Sequence, residues 1–147
     1  MVVTLKLAQP QDWEKILQME QAVQSPVYFA YTEEAEIKKY MDGSQIYLLI
    51  NEDQQNVGTV SYEIKDNGVS HFNGLIVLPD YRGRGYGLQA IREVIKTIGE
   101  DKKMDLVVHP HNSSAIATYL KAGFVISGWE DDSFGDGQPR IEMTRPI

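Results

Sequence analysis

Val77-Leu78-Pro79-Asp80-Tyr81-Arg82-Gly83-Arg84-Gly85-Tyr86-Gly87 decides the fold of this chain. An apolar strand runs up to a proline and gives way to a loop with three glycines and two arginines. A helical pattern follows at once, with Leu88, Ile91, Ile95 and Ile98 as its apolar stripe and Gly99 as its stop. Glycine lets the main chain approach a ligand closely and take unusual dihedrals, so such a loop can aim several N–H groups at one anion. The helix start behind it adds unpaired N–H groups and the positive end of a dipole. The stretch reads as a phosphate cradle, better suited to a pyrophosphate than to a single phosphate.

Spacing separates the families that use such loops. A Walker A loop needs G-x-x-x-x-G-K-[ST], and no lysine followed by Ser or Thr stands in that position. A dinucleotide fingerprint needs G-x-G-x-x-G near the first strand of a βαβ unit. Gly83 and Gly85 begin it, but Leu88 takes the third glycine position and the motif lies mid-chain. The pattern is instead Arg82-x-x-Gly85-x-Gly87 behind Val77-x-Pro79. A second segment runs from His109 to Phe124 behind a short apolar strand, and spaces Asn112, Ala115, Tyr119, Gly123 and Phe124 as N-x-x-A-x-x-x-Y-x-x-x-G-F. The two segments resemble the signatures of the GNAT superfamily of acetyl-coenzyme A-dependent N-acyltransferases, in the family's order and at its usual distance. The resemblance is close over about residues 69–124, and the front half matches in its order of elements.

At 147 residues the chain has the length of a single domain with a proper core, and one N-acetyltransferase domain over 1–147 is expected. The N-terminus has no basic region followed by a long apolar one and reads as a first strand. No apolar run reaches the length of a membrane span. The absence of cysteine excludes disulfides, thiolate metal sites and a cysteine nucleophile. These features together favour the cytoplasm. A net charge of −7 argues against nucleic-acid binding. Residues 1–70 carry five Lys/Arg and eleven Asp/Glu, and residues 71–147 carry nine and ten, so the half with the phosphate loop escapes the negative field. The acidic half can attract a cation, or it simply keeps the surface soluble.

Local patterns give the rest of the architecture. Residues 2–7 alternate as an edge strand, and Pro10 starts a helix running to about Gln24. Thr32 caps a second helix that Gly43 ends, with Glu33, Glu34 and Glu36 in its first turns. Strands follow at residues 45–50, 56–64 and 69–78, the last two joined by a two-residue Asn67-Gly68 turn. After the glycine-loop helix come a strand at 106–108, a helix capped by Ser113 and ended by Gly123, and strands at 124–129 and 140–143. The order β-α-α-β-β-β-α-β-α-β-β is that of an α/β, GNAT-like fold, with a mixed, mostly antiparallel sheet flanked by helices.

The resemblance implies roles for particular residues. Main-chain groups from Arg82, Gly83, Arg84, Gly85, Tyr86 and Gly87 would bind the pyrophosphate of acetyl-coenzyme A, with Leu88 opening the helix. The pantetheine arm would pair like an added strand with Leu75, Ile76 and Val77. The strands ending at Val77 and Val108 would then splay apart, with a bulge near Gly74 or Leu75, and an N–H of Ile76 or Val77 would face the thioester oxygen. Asn112 matches an asparagine near the pantetheine arm, or is a turn residue. Tyr119 stands where many relatives place the acid that protonates the leaving thiolate, or packs on the core. His71 aligns with the glutamate base of histone-acetylating relatives, or is an ordinary strand histidine. A two-residue turn at Asn67-Gly68 would point His71 and Glu63 to opposite faces.

The implied activity is transfer of an acetyl group from acetyl-coenzyme A to a primary amine by direct attack in a ternary complex. The rival is a module that binds an acyl-coenzyme A without turning it over. The acceptor would be a small molecule or peptide amine, with a cationic one favoured by charge, and neither nucleic acid nor membrane is a partner. Relatives are often homodimers, which leaves that state open here. His109 and His111 lack a recognisable third ligand, so no metal is expected. Glu130, Asp131, Asp132 and Asp136 either help bind a cation or form an exposed acidic loop.

Overall fold

The computed structural model describes residues 2–146. Strand β1 (Val3–Leu7) leads through a short 3-10 turn (Pro10–Asp12) into helix α1 (Trp13–Val23), and helix α2 (Glu34–Gly43) follows. Strands β2 (Gln45–Asn51), β3 (Asn56–Ile64) and β4 (Ser70–Val77) form a meander ahead of helix α3 (Tyr86–Ile98). Strand β5 (Met104–Val108), helix α4 (Ser113–Lys121) and strands β6 (Val125–Glu130) and β7 (Arg140–Arg145) complete the chain. The element order is the one the sequence implies. The seven strands form one sheet in the order β1-β2-β3-β4-β5-β7-β6. Every neighbouring pair is antiparallel except β4 and β5.

Alternation along the strands places one apolar set on each face. Leu49, Val60, Tyr62, Phe72, Leu106 and Met143 join Ala90, Ile91, Val94 and Ile95 of α3 in the larger core. Ile46, Leu48 and Ile76 face the other way and meet Ile16 and Met19 of α1 and Ile37 of α2. Full burial of each such aliphatic side chain is worth about 1.5–3 kcal/mol, so both helix layers are held mainly by these stripes.

Local corrections follow from capping and turn chemistry. Glu33, not Thr32, caps α2, because its side chain and that of Glu36 reciprocally satisfy main-chain amides. Asn112 rather than Ser113 caps α4 by accepting from the Ala115 amide. Pro10 opens a separate 3-10 turn, and α1 starts only at Trp13. The β3–β4 loop has three residues, since Lys65 N–H donates to Val69 O and Gly68 N–H to Lys65 O, with Gly68 at φ +83°. This moves the register by one. Glu63 lies directly opposite His71, and the two share a face instead of pointing apart.

Gly58 of β3 lies hard against the main chain of β4. A Cβ at this position would lie 1.8 Å from Ile76 O and 2.8 Å from the Ile76 carbonyl carbon. Both are main-chain atoms in the sheet, so no rotamer change relieves the clash. Gly58→Ala is expected to cost about 3 kcal/mol, the upper part of the usual overpacking range, and to lower Tm by roughly 6–12 °C. A thermal melt of the variant within about 2 °C of the parent would refute this close packing.

Candidate active site

The site begins where β4 and β5 part. Their parallel ladder has three rungs, Ser70 with Met104, His71 with Asp105 and Phe72 with Leu106, and then stops. The cause lies on the other edge of β4. Ser61 of β3 pairs with Gly74 while its neighbour Tyr62 pairs with Phe72, so Asn73 is an extra residue on β4. This is the expected bulge, one residue earlier than its expected position. A bulge bends its strand and increases the local twist, which swings residues 74–77 away from β5.

The bulge also decides which main-chain groups face the gap. Leu78 N–H donates to Val57 O on β3. Successive residues alternate sides, so Ile76 faces β3 as well, and Leu75 and Val77 turn their N–H and C=O groups to the open edge. Of the two amides expected at the thioester, Val77 therefore lies on the open edge and Ile76 does not. The Ile76 side chain is buried among α1 and α2 residues. Leu75 and Val77 instead pack against the core beneath α3.

The glycine loop closes the far end of this edge. Arg82 Nε donates to Val77 O at 2.8 Å, tying the loop back to the end of β4. The Arg82 amide turns inward to Pro79 O at 3.3 Å, so the free part of the cradle begins at Gly83. Gly83 and Gly85 take φ of +78° and +83°, a left-handed conformation that side chains disfavour. Helix α3 opens at Tyr86, not at Leu88, with Gly85 as its N-cap. The first helical hydrogen bond behind the cap runs from Gln89 N–H to Gly85 O, so the amides of Tyr86, Gly87 and Leu88 precede it and point outward. The Tyr86 side chain has another task. It is buried in the core, and its hydroxyl reaches Glu52 Oε2 at 3.0 Å. Arg84 lies over the Tyr81 ring and donates to Asp80 O.

A groove of about 670 Å³ runs from the glycine loop along Leu75, Ile76 and Val77 to Asn112 and α4. Its other wall is the α1–α2 loop through Tyr28. Thr118 and Lys121 also line it, and Lys121 places a cation at the α4 side. The sequence reading missed both. Their signal was the α4 face that carries Ala115 and Tyr119 at helical spacing.

Beyond Leu75 the groove narrows into a second cavity of about 50 Å³, inside the splay itself. Tyr119, Asn112, Gly74 and Tyr28 line it. Burial holds the Tyr119 phenol well above its ordinary range, so it keeps its proton. Its ring packs edge-on against Phe124. The Asn112 side chain caps α4, and the residue also lines the groove.

His71 lies elsewhere. It sits on the paired part of β4, two residues before the bulge, with Nδ1 2.6 Å from Asp105 Oδ1. It does not line the splay cavity. His109 is occupied on both ring nitrogens: Nδ1 accepts from the His111 amide, and Nε2 donates to Gln138 Oε1 at 2.9 Å. Among the described residues no three His, Cys, Asp or Glu side chains gather as a metal site.

The acidic loop folds on itself. Asp136 pairs with the buried Arg140 at 3.0 Å, Asp132 accepts from the Gly137 amide, Asp131 from Trp129 Nε1, and Glu130 from Ser133. Arg140 also lies under the Phe134 ring, and Phe134 stacks on Phe29 across the mouth of the splay. Glu33 and Glu36 are used as helix caps, and Glu34 pairs with Lys38. A second acidic group remains on the sheet face shared with α1 and α2. Glu63, the His71–Asp105 pair, Glu142 and Glu130 lie there on neighbouring strands. Burial, followed by the nearby Glu130 and Asp105, pushes the Glu142 carboxyl upward.

Comparisons with known proteins agree with this geometry. The acetyltransferase (GNAT) family model matches residues 13–124. No curated protein matches the chain. Among solved structures, the spermidine N-acetyltransferase from Vibrio cholerae in complex with CoA and spermine superposes with a TM-score of 0.79 at 19% identity, covering 97% of this chain and 94% of that one. The dodecameric form of that enzyme in an intermediate state gives 0.76 at 19% identity, covering 97% and 92%. At such identity the likeness speaks for the fold. No helix among the described residues is long and apolar enough to cross a membrane.

Proposed function

The chain belongs to the GNAT acetyltransferase family, and we propose that it moves an acetyl group from acetyl-coenzyme A directly to a primary amine on a small cationic acceptor. It is an acetyl-CoA-dependent N-acetyltransferase. One observation carries the finer reading: the β4–β5 ladder stops after three rungs beside a glycine cradle, and a groove joins the two.

In this reading the amides of Gly83 to Leu88 hold the pyrophosphate. The pantetheine arm lies along the open edge of β4 and pairs with main-chain groups of Leu75 and Val77. The Val77 amide, or that of Leu75, meets the charge that develops on the thioester oxygen. Asn112 steadies the arm, and Tyr119 donates a proton to the departing thiolate. The amine attacks from the α1–α2 side, through the splay.

Charge supports a cationic acceptor. Glu63, Asp105, Glu142 and Glu130 share the sheet face beside the splay, and Glu142 lies opposite Val107, which lines it. Crowded carboxylates of this kind are relieved by an incoming cation, and the field they make is screened by salt. The neighbouring fold carries spermine in Vibrio cholerae spermidine N-acetyltransferase, so a linear polyamine belongs at the head of an amine panel.

A thiol-release assay over that panel tests the proposal. Polycationic primary amines should be the best acceptors, and their KM should rise with ionic strength. Replacing both Glu130 and Glu142 by Gln should raise KM severalfold and flatten the salt dependence. If neutral or anionic amines were preferred and KM ignored salt, the acidic face would be a solubility feature only. Binding of acetyl-coenzyme A without thiol release for any amine would instead leave a binding module.

A further inference from the structure

Glu20, in the last turns of α1, is only 4% exposed, and its Oε2 is buried with no hydrogen-bond partner. Buried polar groups in folded proteins are nearly always satisfied, so an orphaned carboxylate oxygen needs a reason. Its neighbours supply one. Tyr28 hydrogen-bonds to Glu20, and the Tyr28 hydroxyl lies 2.7 Å from where a Cβ at Gly74 would stand. Any side chain at position 74 would displace that hydroxyl, so glycine at the edge of the bulge admits Tyr28 to the main chain of β4. Tyr28 lines both the long groove and the splay cavity, whereas Glu20 lines neither. The tyrosine thus stands between the carboxylate and the reacting centre. Tyr119 lines the same small cavity.

We propose that Tyr28 and Glu20 carry away the proton that the acceptor ammonium must lose before it attacks. This rests on the acetyltransferase reading above. Tyr28 is the catalytic residue of the pair, and Glu20 is a positioning residue that acts through it. The ammonium proton passes to the Tyr28 oxygen while the Tyr28 hydroxyl proton passes to Glu20, giving a neutral amine and a neutral carboxylic acid. The amine nitrogen then bonds to the thioester carbonyl carbon, and the carbon–sulfur bond breaks. Tyr119 gives its proton to the thiolate, and the second proton of the nitrogen returns to the Tyr119 oxygen across the shared cavity, leaving the amide, the free thiol and a neutral phenol. The proton on Glu20 returns to solvent as products leave.

The surroundings suit this exchange. Facing Glu20 are Tyr28 and Tyr31 of the α1–α2 loop and Tyr40 of α2, whose hydroxyl contacts Ser61 Oγ of β3. Glu36 of α2 and Glu63 of β3 also act on these tyrosines. All of them are neutral or acidic. Burial raises the Glu20 carboxyl to about 8, against smaller lowering by the Tyr31 main chain and Tyr28. That lies between an ordinary carboxylate and an alkyl amine, the range in which a base works best near neutral pH. Tyr28 is itself held protonated, first by burial and then by Glu20, so it cannot be a base alone and needs somewhere to send its proton. His71 lies outside this cavity, and Glu20 escaped the sequence reading because nothing in the α1 pattern marks one glutamate as buried.

The test compares kcat and kcat/KM against pH for the parent, Glu20→Gln and Tyr28→Phe, with two acceptors of different amine pKa. In the parent, the acidic limb should be governed by an ionisation near 8 that stays put when the acceptor changes. Both variants should lose that ionisation and at least about 10²-fold in kcat, with coenzyme A affinity unchanged. Melting curves serve as the folding control. A raised carboxyl pKa means that the folded chain keeps a proton the unfolded chain has released, so parental stability should fall as pH rises between about 4.5 and about 8. Glu20→Gln should flatten that fall. A flattened melting profile with parental kcat and an unchanged acidic limb would overturn the relay and leave Glu20 a structural feature. If Glu20→Gln failed to fold, Tyr28→Phe would decide alone, with an unchanged limb overturning the proposal. A parent inactive towards every amine would defeat the acetyltransferase reading itself, before either variant is compared.

Discussion

Replacing Tyr119 by Phe is expected to lower kcat by about 10²–10⁴-fold while coenzyme A affinity stays nearly unchanged. The phenol is buried in the splay cavity, and burial keeps its proton on. In the proposed mechanism the group that needs that proton, the departing thiolate, exists only late in the reaction. Loss of an interaction made only there lowers kcat and kcat/KM together and spares ground-state binding. Phe preserves the edge-on contact with Phe124, so the variant isolates the hydroxyl. The measurement is steady-state turnover at saturating acceptor, with coenzyme A affinity from calorimetry. If chemistry limits the rate and kcat does not move, Tyr119 is a packing residue. If kcat and cofactor affinity fall together, the hydroxyl positions the arm and the proton comes from elsewhere.

What the sequence showed and what it hid divide along a physical line. The glycine loop was legible because its chemistry is local: Gly83 and Gly85 have left-handed φ, and the helix that follows begins with free amides. The order of elements was legible because apolar periodicity switches between two and 3.6 along the chain. Register was not. Whether Asn67-Gly68 closes a two- or three-residue loop depends on Lys65 and Val69 finding each other, and that one residue decides whether His71 and Glu63 share a face. The bulge at Asn73 was expected from the isolated Gly74, but which strand edge it turns outward depends on the pairing with β3. Burial of single polar groups was the least legible. Glu20, Tyr28 and Tyr40 are brought together by the packing of two helices on a sheet, and no spacing within the chain records it. Asp136, one of the loop acids offered as a cation ligand, pairs with the buried Arg140 instead, a contact that depends on how the loop folds back on β7.

Arg82→Glu should weaken coenzyme A binding by roughly 10²-fold or more, since placing like charges together costs several kcal/mol. Two losses combine in this variant. Arg82 Nε now donates to Val77 O at 2.8 Å, and this bond holds the glycine loop against the end of the open strand. The guanidinium also brings a positive charge to the cradle, where the reading above places a pyrophosphate. A carboxylate at this position cannot donate to Val77 O and repels the ligand. Arg82→Lys separates the two effects. It keeps the charge but lacks the planar, directed donor that reaches the carbonyl, so it should retain most of the attraction and lose loop order. Titration calorimetry with coenzyme A at two ionic strengths reads both. The penalty of the Glu variant over the Lys variant should shrink at high salt, because screening acts on charge, while the difference between Lys and the parent should persist. Equal binding by all three proteins would mean that the cradle works through the amides of Gly83 to Leu88 alone. In that case the same titration on Gly85→Val, which forces a branched side chain into φ +83°, should carry the whole loss.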